Sequence, residues 1–240
     1  MAEENHVLSV IGRRPPVETD RHIPNVHYWT VDLLDSERFS TVLTDIIRQN
    51  GKLNYLVFLQ RYRGEGDSWR GEIEVSLTAS KNTIERLADE FDGSDENSIV
   101  LVSSLAGHFV AEEQPLSYHL AKAGINQMVR YYAFVLGPKG IRVNCVSSGA
   151  VLKEESKDYY LQNKQIYNLY KRIIPLGRMV TSEDIAHVIA FLCSPKASLM
   201  TGQNLVVDGG VSLQGQESLA RKLTGRPHPN SLSQPRRKAR

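Results

Sequence analysis

Cysteine is scarce in this chain: two among 240 residues, Cys145 and Cys193, each inside an apolar segment. Two thiols so placed make neither a disulfide framework nor a metal-ligand cluster, and they suit a reducing, cytoplasmic compartment. His6, His22, His27, His108, His119 and His187 fall at no metal-ligand spacing, so no metal is expected. No apolar run approaches the roughly 18 residues of a membrane span. The opening MAEENHVLSVIGRRPP lacks the basic-then-apolar order of a secretory leader. Neither a membrane nor an export route is therefore expected. Charge of one sign is also nearly absent overall, the net being +2. With 41% hydrophobic and 23% charged residues the chain is not disordered as a whole, and its length suits one α/β domain.

The small net charge hides an uneven distribution. From Arg221 onward there are seven basic residues and no acid, so the preceding 220 residues carry −5. Pro227, Pro229 and Pro235 interrupt that stretch, and no apolar periodicity runs through it. The expected division is a folded domain over 1–215 and a basic, disordered tail over 216–240. A solvated tail is expected there rather than a nucleic-acid-binding one.

Short apolar runs at 6–12, 26–31, 53–59, 98–103, 141–146 and 204–207 read as strands, several of them buried on both faces. Helical periodicity appears at 36–49, with Ser36 as N-cap, and at 73–91, 117–136 and 182–193. This alternation predicts an α/β fold: a doubly wound, Rossmann-like parallel sheet in a single domain. In such sheets ligands bind beyond the carboxyl ends of the strands.

The runs IVLVSSLAG (99–107) and SYHLAKAG (117–124) place chemistry at such an end. Ser104 ends a strand. Tyr118 and Lys122, four apart, share one helix face. An ammonium beside a phenol favours the phenolate, so Tyr118 could exchange a proton with a substrate oxygen while Ser104 donates a hydrogen bond to it. Spacing alone does not single out this pair, because Tyr160/Lys164 and Tyr167/Lys171 repeat it. Only the first pair follows a strand ending in Ser-Ser.

These segments resemble the short-chain dehydrogenase/reductase family. So do GIRVNCVSSGAV (140–151), the run at 175–210 and VDLLD (31–35), in the family's order over 7–213. The resemblance implies that Tyr118 is the general acid/base, that Lys122 assists it and holds the nicotinamide ribose, and that Ser104 orients a carbonyl. Ser76 stands where the family's relay asparagine would be. Asp32 and Leu33 would touch adenine, although Asp32 could equally cap a turn. Gly149 and Val151 lie on the cofactor-side loop. Arg13 and Arg14 follow the strand that reads the ribose 2′ position and suit a phosphate, so NADP(H) is expected over NAD(H). The implied substrate is a small secondary alcohol or ketone, and the implied assembly a homo-dimer or tetramer through the helices at 73–91 and 117–136.

Four departures accompany the match. The family's TGxxxGxG turn is absent, so its first βα unit is expected to be missing, either because Met1 is an internal or misplaced start or through a genuine loss. The central strand of that unit would leave two neighbours with open edges. Gln60-Arg61-Tyr62-Arg63 replaces Asn-Asn-Ala-Gly, Ser76 replaces asparagine, and Ser148 replaces the loop proline. Residues 153–174, in the position of the substrate lid, mix tyrosines with Lys and Arg. They suit a polar or anionic substrate, or form an amphipathic helix with a solvated basic face. Two functions remain in view: an NADP(H)-dependent oxidoreductase, and a non-enzymatic scaffold or accessory protein of the same fold.

Overall fold

The computed structural model describes residues 6–18, 23–93 and 96–225. Residues 1–5, His22 and the basic stretch 226–240 lie outside the described residues, and with them the expectations for the chain's opening and its tail. In chain order the elements are β1 (Leu8–Gly12), β2 (Val26–Thr30), α1 (Ser36–Asn50), β3 (Tyr55–Phe58), α2 (Ser68–Glu72), α3 (Ala79–Leu87), β4 (Ser98–Ser104), α4 (Leu116–Leu136), β5 (Arg142–Ser148), β6 (Val151–Leu152), α5 (Glu154–Gln162), α6 (Lys164–Ile173), β7 (Val180–Thr181), α7 (Ser182–Cys193), β8 (Asn204–Val207) and α8 (Gln216–Leu223). They gather in two compact units. One holds residues up to Ser147 with Ala186–Leu205; the other holds Ser148–Ile185 with the residues from Val206 on.

In the first unit, β3, β4, β5 and β8 form a sheet in that order. Tyr55 pairs with Ser98 and Phe58 with Leu101 in parallel register. β1 and β2 form a separate parallel pair, with Leu8 opposite Val26 and Gly12 opposite Thr30. The parallel sheet is thus divided among the described residues, with open edges of the kind expected where the Gly-rich turn is absent. β1 and β3 each have a hydrogen-bonded neighbour on one side only among the described residues. This is where the resemblance places a central strand.

β5 is buried along its whole length and β4 along most of it; in β4 this shows as the apolar run Ile99–Val102, whereas β5 also buries Arg142, Asn144 and two serines. Ile84, Ile99, Leu101, Ile125, Val129 and Val143 make the heart of one core. Arg142 is a buried cation at the head of β5, and its guanidinium meets the last carbonyls of α7: Nη1 donates to Leu192 O at 2.7 Å and Nη2 to Cys193 O at 3.4 Å. A cation there satisfies carbonyls that the helix leaves unbonded.

α1 buries Leu43 and Ile46 from its apolar stripe. Its N-cap is Asp35, not Ser36: the Asp35 carboxylate accepts from Arg38 N at 3.1 Å. Aspartate one residue earlier reaches the third amide of the helix and takes the role from serine. Gly51 closes the helix at φ 80°, a conformation that costs glycine little. The helix expected over 73–91 begins earlier, at Ser68, and passes through a π-helical turn, Ile73–Thr78, before α3.

In the second unit β6 and β7 pair in parallel. The lid region is two helices rather than one, broken at Asn163, whose side-chain amide donates to Tyr159 O at 2.8 Å and closes α5. Helix α7 begins on a reciprocal cap. Asp184 N donates to Thr181 Oγ1 at 3.2 Å, and Thr181 N donates to the Asp184 carboxylate at 2.8 Å. Gln216–Leu223 is helical where an unstructured tail was expected to begin. The Arg221–Glu217 pair at 2.7 Å and the bond from Arg172 Nη2 to Leu223 O at 2.8 Å hold it.

Candidate active site

Three elements of the first unit converge on Tyr118. Helix α4 carries Tyr118 and, one turn on, Lys122, which is 4% exposed despite its charge. Burying an ammonium requires a partner. Lys122 Nζ donates to Val102 O of β4 at 2.9 Å and stands 5.6 Å from the centre of the Tyr118 ring. Two further features fix α4 to β4 here. Ser103 Oγ donates to Lys122 O at 3.1 Å. Gly107, in the 3₁₀ turn after β4, lets that turn lie against the α4 backbone; a Cβ on it would sit 2.9 Å from the Lys122 carbonyl carbon. Ser104 opens this turn, its hydroxyl oxygen accepting from Ala106 N at 3.2 Å. That bond uses a lone pair and leaves the hydroxyl proton for another acceptor.

Ser76 lies in the π-helical turn, 1% exposed, and its hydroxyl donates to Glu72 Oε2 at 3.1 Å. Local π geometry often marks a functional position. Glu72 itself is 2% exposed. Its other oxygen faces Arg61 Nε at 3.7 Å. Arg61 Nη2 donates to Gln114 Oε1 at 2.6 Å, and the guanidinium carbon lies 4.3 Å over the centre of the Tyr118 ring. From the sequence, Arg61 was expected only as part of the run 60–63, which replaces Asn-Asn-Ala-Gly just past a strand end and could face the active site. Glu72 and Gln114 were not expected, because nothing local signals a contact made across such long stretches of chain.

The remaining candidates lie elsewhere. Arg13 and Arg14 form an exposed bend after β1. Asp32 caps a turn, accepting from Leu34 N at 3.0 Å, and Leu33 is half-buried beside it. These four follow the strands of the two-stranded sheet, whereas Ser104 ends a strand of the four-stranded one. Gly149 and Val151 belong to the second unit, Val151 pairing with Val180. The other Tyr-x-x-x-Lys pairs are also there. Lys171 Nζ stands 5.6 Å over Tyr167, as Lys122 does over Tyr118, but Lys171 is exposed. Burial and anchoring to a strand, not the spacing, set the Tyr118 pair apart.

Burial pushes the thiols of Cys145 and Cys193 up to about 12 and about 11, which leaves neither as a ready nucleophile. Tyr55 and Tyr132 titrate above the ordinary phenol range, first because they are buried and then because Glu96 and Glu85 accept from their hydroxyls. No group of three or more His, Cys, Asp or Glu that could hold a metal occurs among the described residues. The N-termini of α1 and α2 are filled by the chain's own carboxylates, Asp35 and Asp67; Asp67 accepts from Trp69 N at 2.9 Å. No helix of the described residues is long and apolar enough to cross a membrane.

A family profile described as enoyl-(acyl carrier protein) reductase matches residues 17–212. An isoepoxydon dehydrogenase from Penicillium expansum is 32% identical over 155 residues, 64% of this chain and 60% of that protein. A 3-oxoacyl-(acyl-carrier-protein) reductase from Chlamydia pneumoniae is 34% identical over 146 residues, 61% of this chain and 57% of that protein. The chain thus spans about 60% of the length of the first of these relatives. Among solved structures, a 4-hydroxyisoleucine dehydrogenase mutant complexed with NADH and succinate superposes with a TM-score of 0.79 at 22% identity, covering 90% of this chain and 92% of that one. A Brucella melitensis protein described as a short-chain dehydrogenase/reductase, glucose/ribitol dehydrogenase, gives 0.67 at 25% identity, over 78% of this chain and 76% of that one.

Proposed function

The chain belongs to the short-chain dehydrogenase/reductase family, and on that footing we propose that it is an NADP(H)-dependent oxidoreductase acting on a secondary alcohol or ketone, with Tyr118 as general acid/base. The observation that carries this reading is the buried Lys122, anchored to Val102 O and lying one helical turn from Tyr118. A cation is costly to bury, and here it stands beside a phenol on the helix that is fastened to the strand ending in Ser104.

The chain's own groups divide the work as follows. The Tyr118 hydroxyl gives its proton to the substrate oxygen on reduction and takes it back on oxidation. Ser104 donates its remaining hydroxyl proton to the same oxygen, where negative charge grows. Lys122 supplies fixed positive charge to that corner of the site. A bound dinucleotide would supply or accept the hydride. Tyr118 and Lys122 fit the nicotinamide end of such a molecule by their donor chemistry, and Arg13 and Arg14, exposed after β1, suit a 2′-phosphate. The N-termini of α1 and α2, the helices after β2 and β3, are already capped by Asp35 and Asp67 and so do not offer a pyrophosphate the free amides of a phosphate-binding turn.

This last observation favours a second reading, a member of the family that keeps the fold without the hydride chemistry. Calorimetric titration with NADPH and NADH separates the two. The oxidoreductase reading expects NADPH to bind more tightly and Arg13→Ala to erase that preference. Failure to bind either cofactor, together with no reduction of a panel of ketones, leaves the scaffold reading.

A further inference from the structure

Arg61 is fixed in place from several directions. Its neighbour Gln60 donates through Nε2 to Ser80 Oγ at 2.7 Å. Its neighbour Tyr62 lies in a slot left by Gly64 and Gly71, where side chains would collide with the ring, and its hydroxyl accepts from Gly66 N at 3.2 Å. The loop is therefore pinned on both sides of Arg61. The guanidinium is then steered by Glu72 and Gln114 onto the face of Tyr118. Its side chain remains 36% exposed while that of Glu72 is 3% exposed.

A guanidinium holds five N–H donors in a planar fork. The Glu72 contact is a long one from Nε, and Gln114 takes one bond from Nη2. The exposed edge of the fork keeps donors for a further acceptor, and the planar pair of N–H groups matches a carboxylate.

We infer that Arg61 is a specificity-determining residue that binds a carboxylate of the substrate, so that the preferred substrates are short oxo or hydroxy acids rather than neutral ketones. The inference rests on the oxidoreductase reading and adds the substrate class to it. A fork lying over the Tyr118 ring is within reach of a carboxylate one or two carbons from an oxygen bonded to the phenol hydroxyl. Neutral ketones would meet the same Tyr118 and Ser104 but leave the fork facing water.

The test compares acetoacetate with methyl acetoacetate, identical at the reacting carbonyl and different in charge. Binding is measured by calorimetry with and without NADPH, and turnover with NADPH and NADH, on the parent chain, Arg61→Ala and Arg61→Lys. The expected result is about tenfold or more tighter binding of the acid by the parent. The preference should be lost in Arg61→Ala and partly kept in Arg61→Lys, with a cooperative thermal melt confirming that each variant is folded even where loss of the Glu72 partner lowers its midpoint. Where turnover is seen, Arg61→Ala should raise the acid's KM by a larger factor than the ester's. Equal binding of acid and ester by the parent, or a preference that survives in Arg61→Ala, overturns the assignment whatever the activity. Reduction of neither compound alongside an Arg61-dependent binding preference removes the oxidoreductase reading and leaves carboxylate recognition standing.

Discussion

Tyr118 and Tyr167 carry the same spacing to a lysine and the same 5.6 Å cation contact, yet only one of them is expected to do chemistry. Tyr118→Phe keeps the ring and its packing and loses the transferable proton, so turnover should vanish with the melting temperature held. Tyr167→Phe should leave turnover within a few-fold of the parent. Steady-state kinetics with a thermal melt on each variant decides. The thiols give a second expectation at this scale. Burial lifts Cys145 and Cys193 above the ordinary value of 9. Between that value and about 12 the unfolded chain gives up protons that the folded chain keeps. Their contribution to stability is therefore complete below pH 9 and lost as pH rises through the folded values. The melting temperature should fall above pH 9, less steeply in Cys145→Ala, and thiol reagents should react only on unfolding. That Ser104 ends a strand and that Tyr118 and Lys122 share a helix face was legible, because strand end and helix period are local signals. Arg61 and Glu72 were not, because their meeting with Tyr118 depends on a loop that Tyr62 folds back against two glycines.

Helix α7 was legible to its ends from the apolar periodicity over 182–193, although the Thr181–Asp184 cap that starts it was not read. α1 was misread by one residue only because Asp35 and Ser36 are both good caps. The π-helical turn left no trace in the periodicity, which is why one helix was expected from 73 to 91. The reciprocal cap of α7 makes a measurable claim. Its hydrogen bonds from Arg178 and from Thr181 hold the Asp184 carboxyl well below the usual range. Stability from that group is present above the ordinary carboxylate value and disappears as pH falls through the lower folded one. Asp184→Asn should cost about 1 kcal/mol at neutral pH and flatten the acid limb of a stability-against-pH curve. A limb of unchanged slope would show that other carboxylates govern it. At the junction of β4 and α4, Gly107→Ala should push the turn away from Lys122, costing about 1–3 kcal/mol of stability in a denaturation curve and lowering turnover in steady-state kinetics.

On the scale of the molecule, α4 presents Leu120, Tyr131 and Phe134 to solvent, the last of them 84% exposed. The family resemblance assigns such a helix to contacts between subunits, so Phe134→Glu should shift the sedimentation profile toward a smaller species without lowering the melting temperature. The fold class was legible from the alternation of strand and helix. The division of the sheet was legible from the absence of one turn motif, although where each strand would find its partners was not. That division has a kinetic signature in amide exchange. Along a parallel strand successive N–H groups point to opposite sides. Leu8 N bonds Asn25 O toward β2, which turns the amides of Ser9 and Ile11 to the open side of β1. Asn54 O accepts from Ser98 N, which likewise turns Tyr55 and Val57 away from β4. Deuterium should therefore enter β1 and β3 at every second residue, fast at Ser9, Ile11, Tyr55 and Val57 and slow between them, while β4 and β5, bonded on both sides, stay protected along their length.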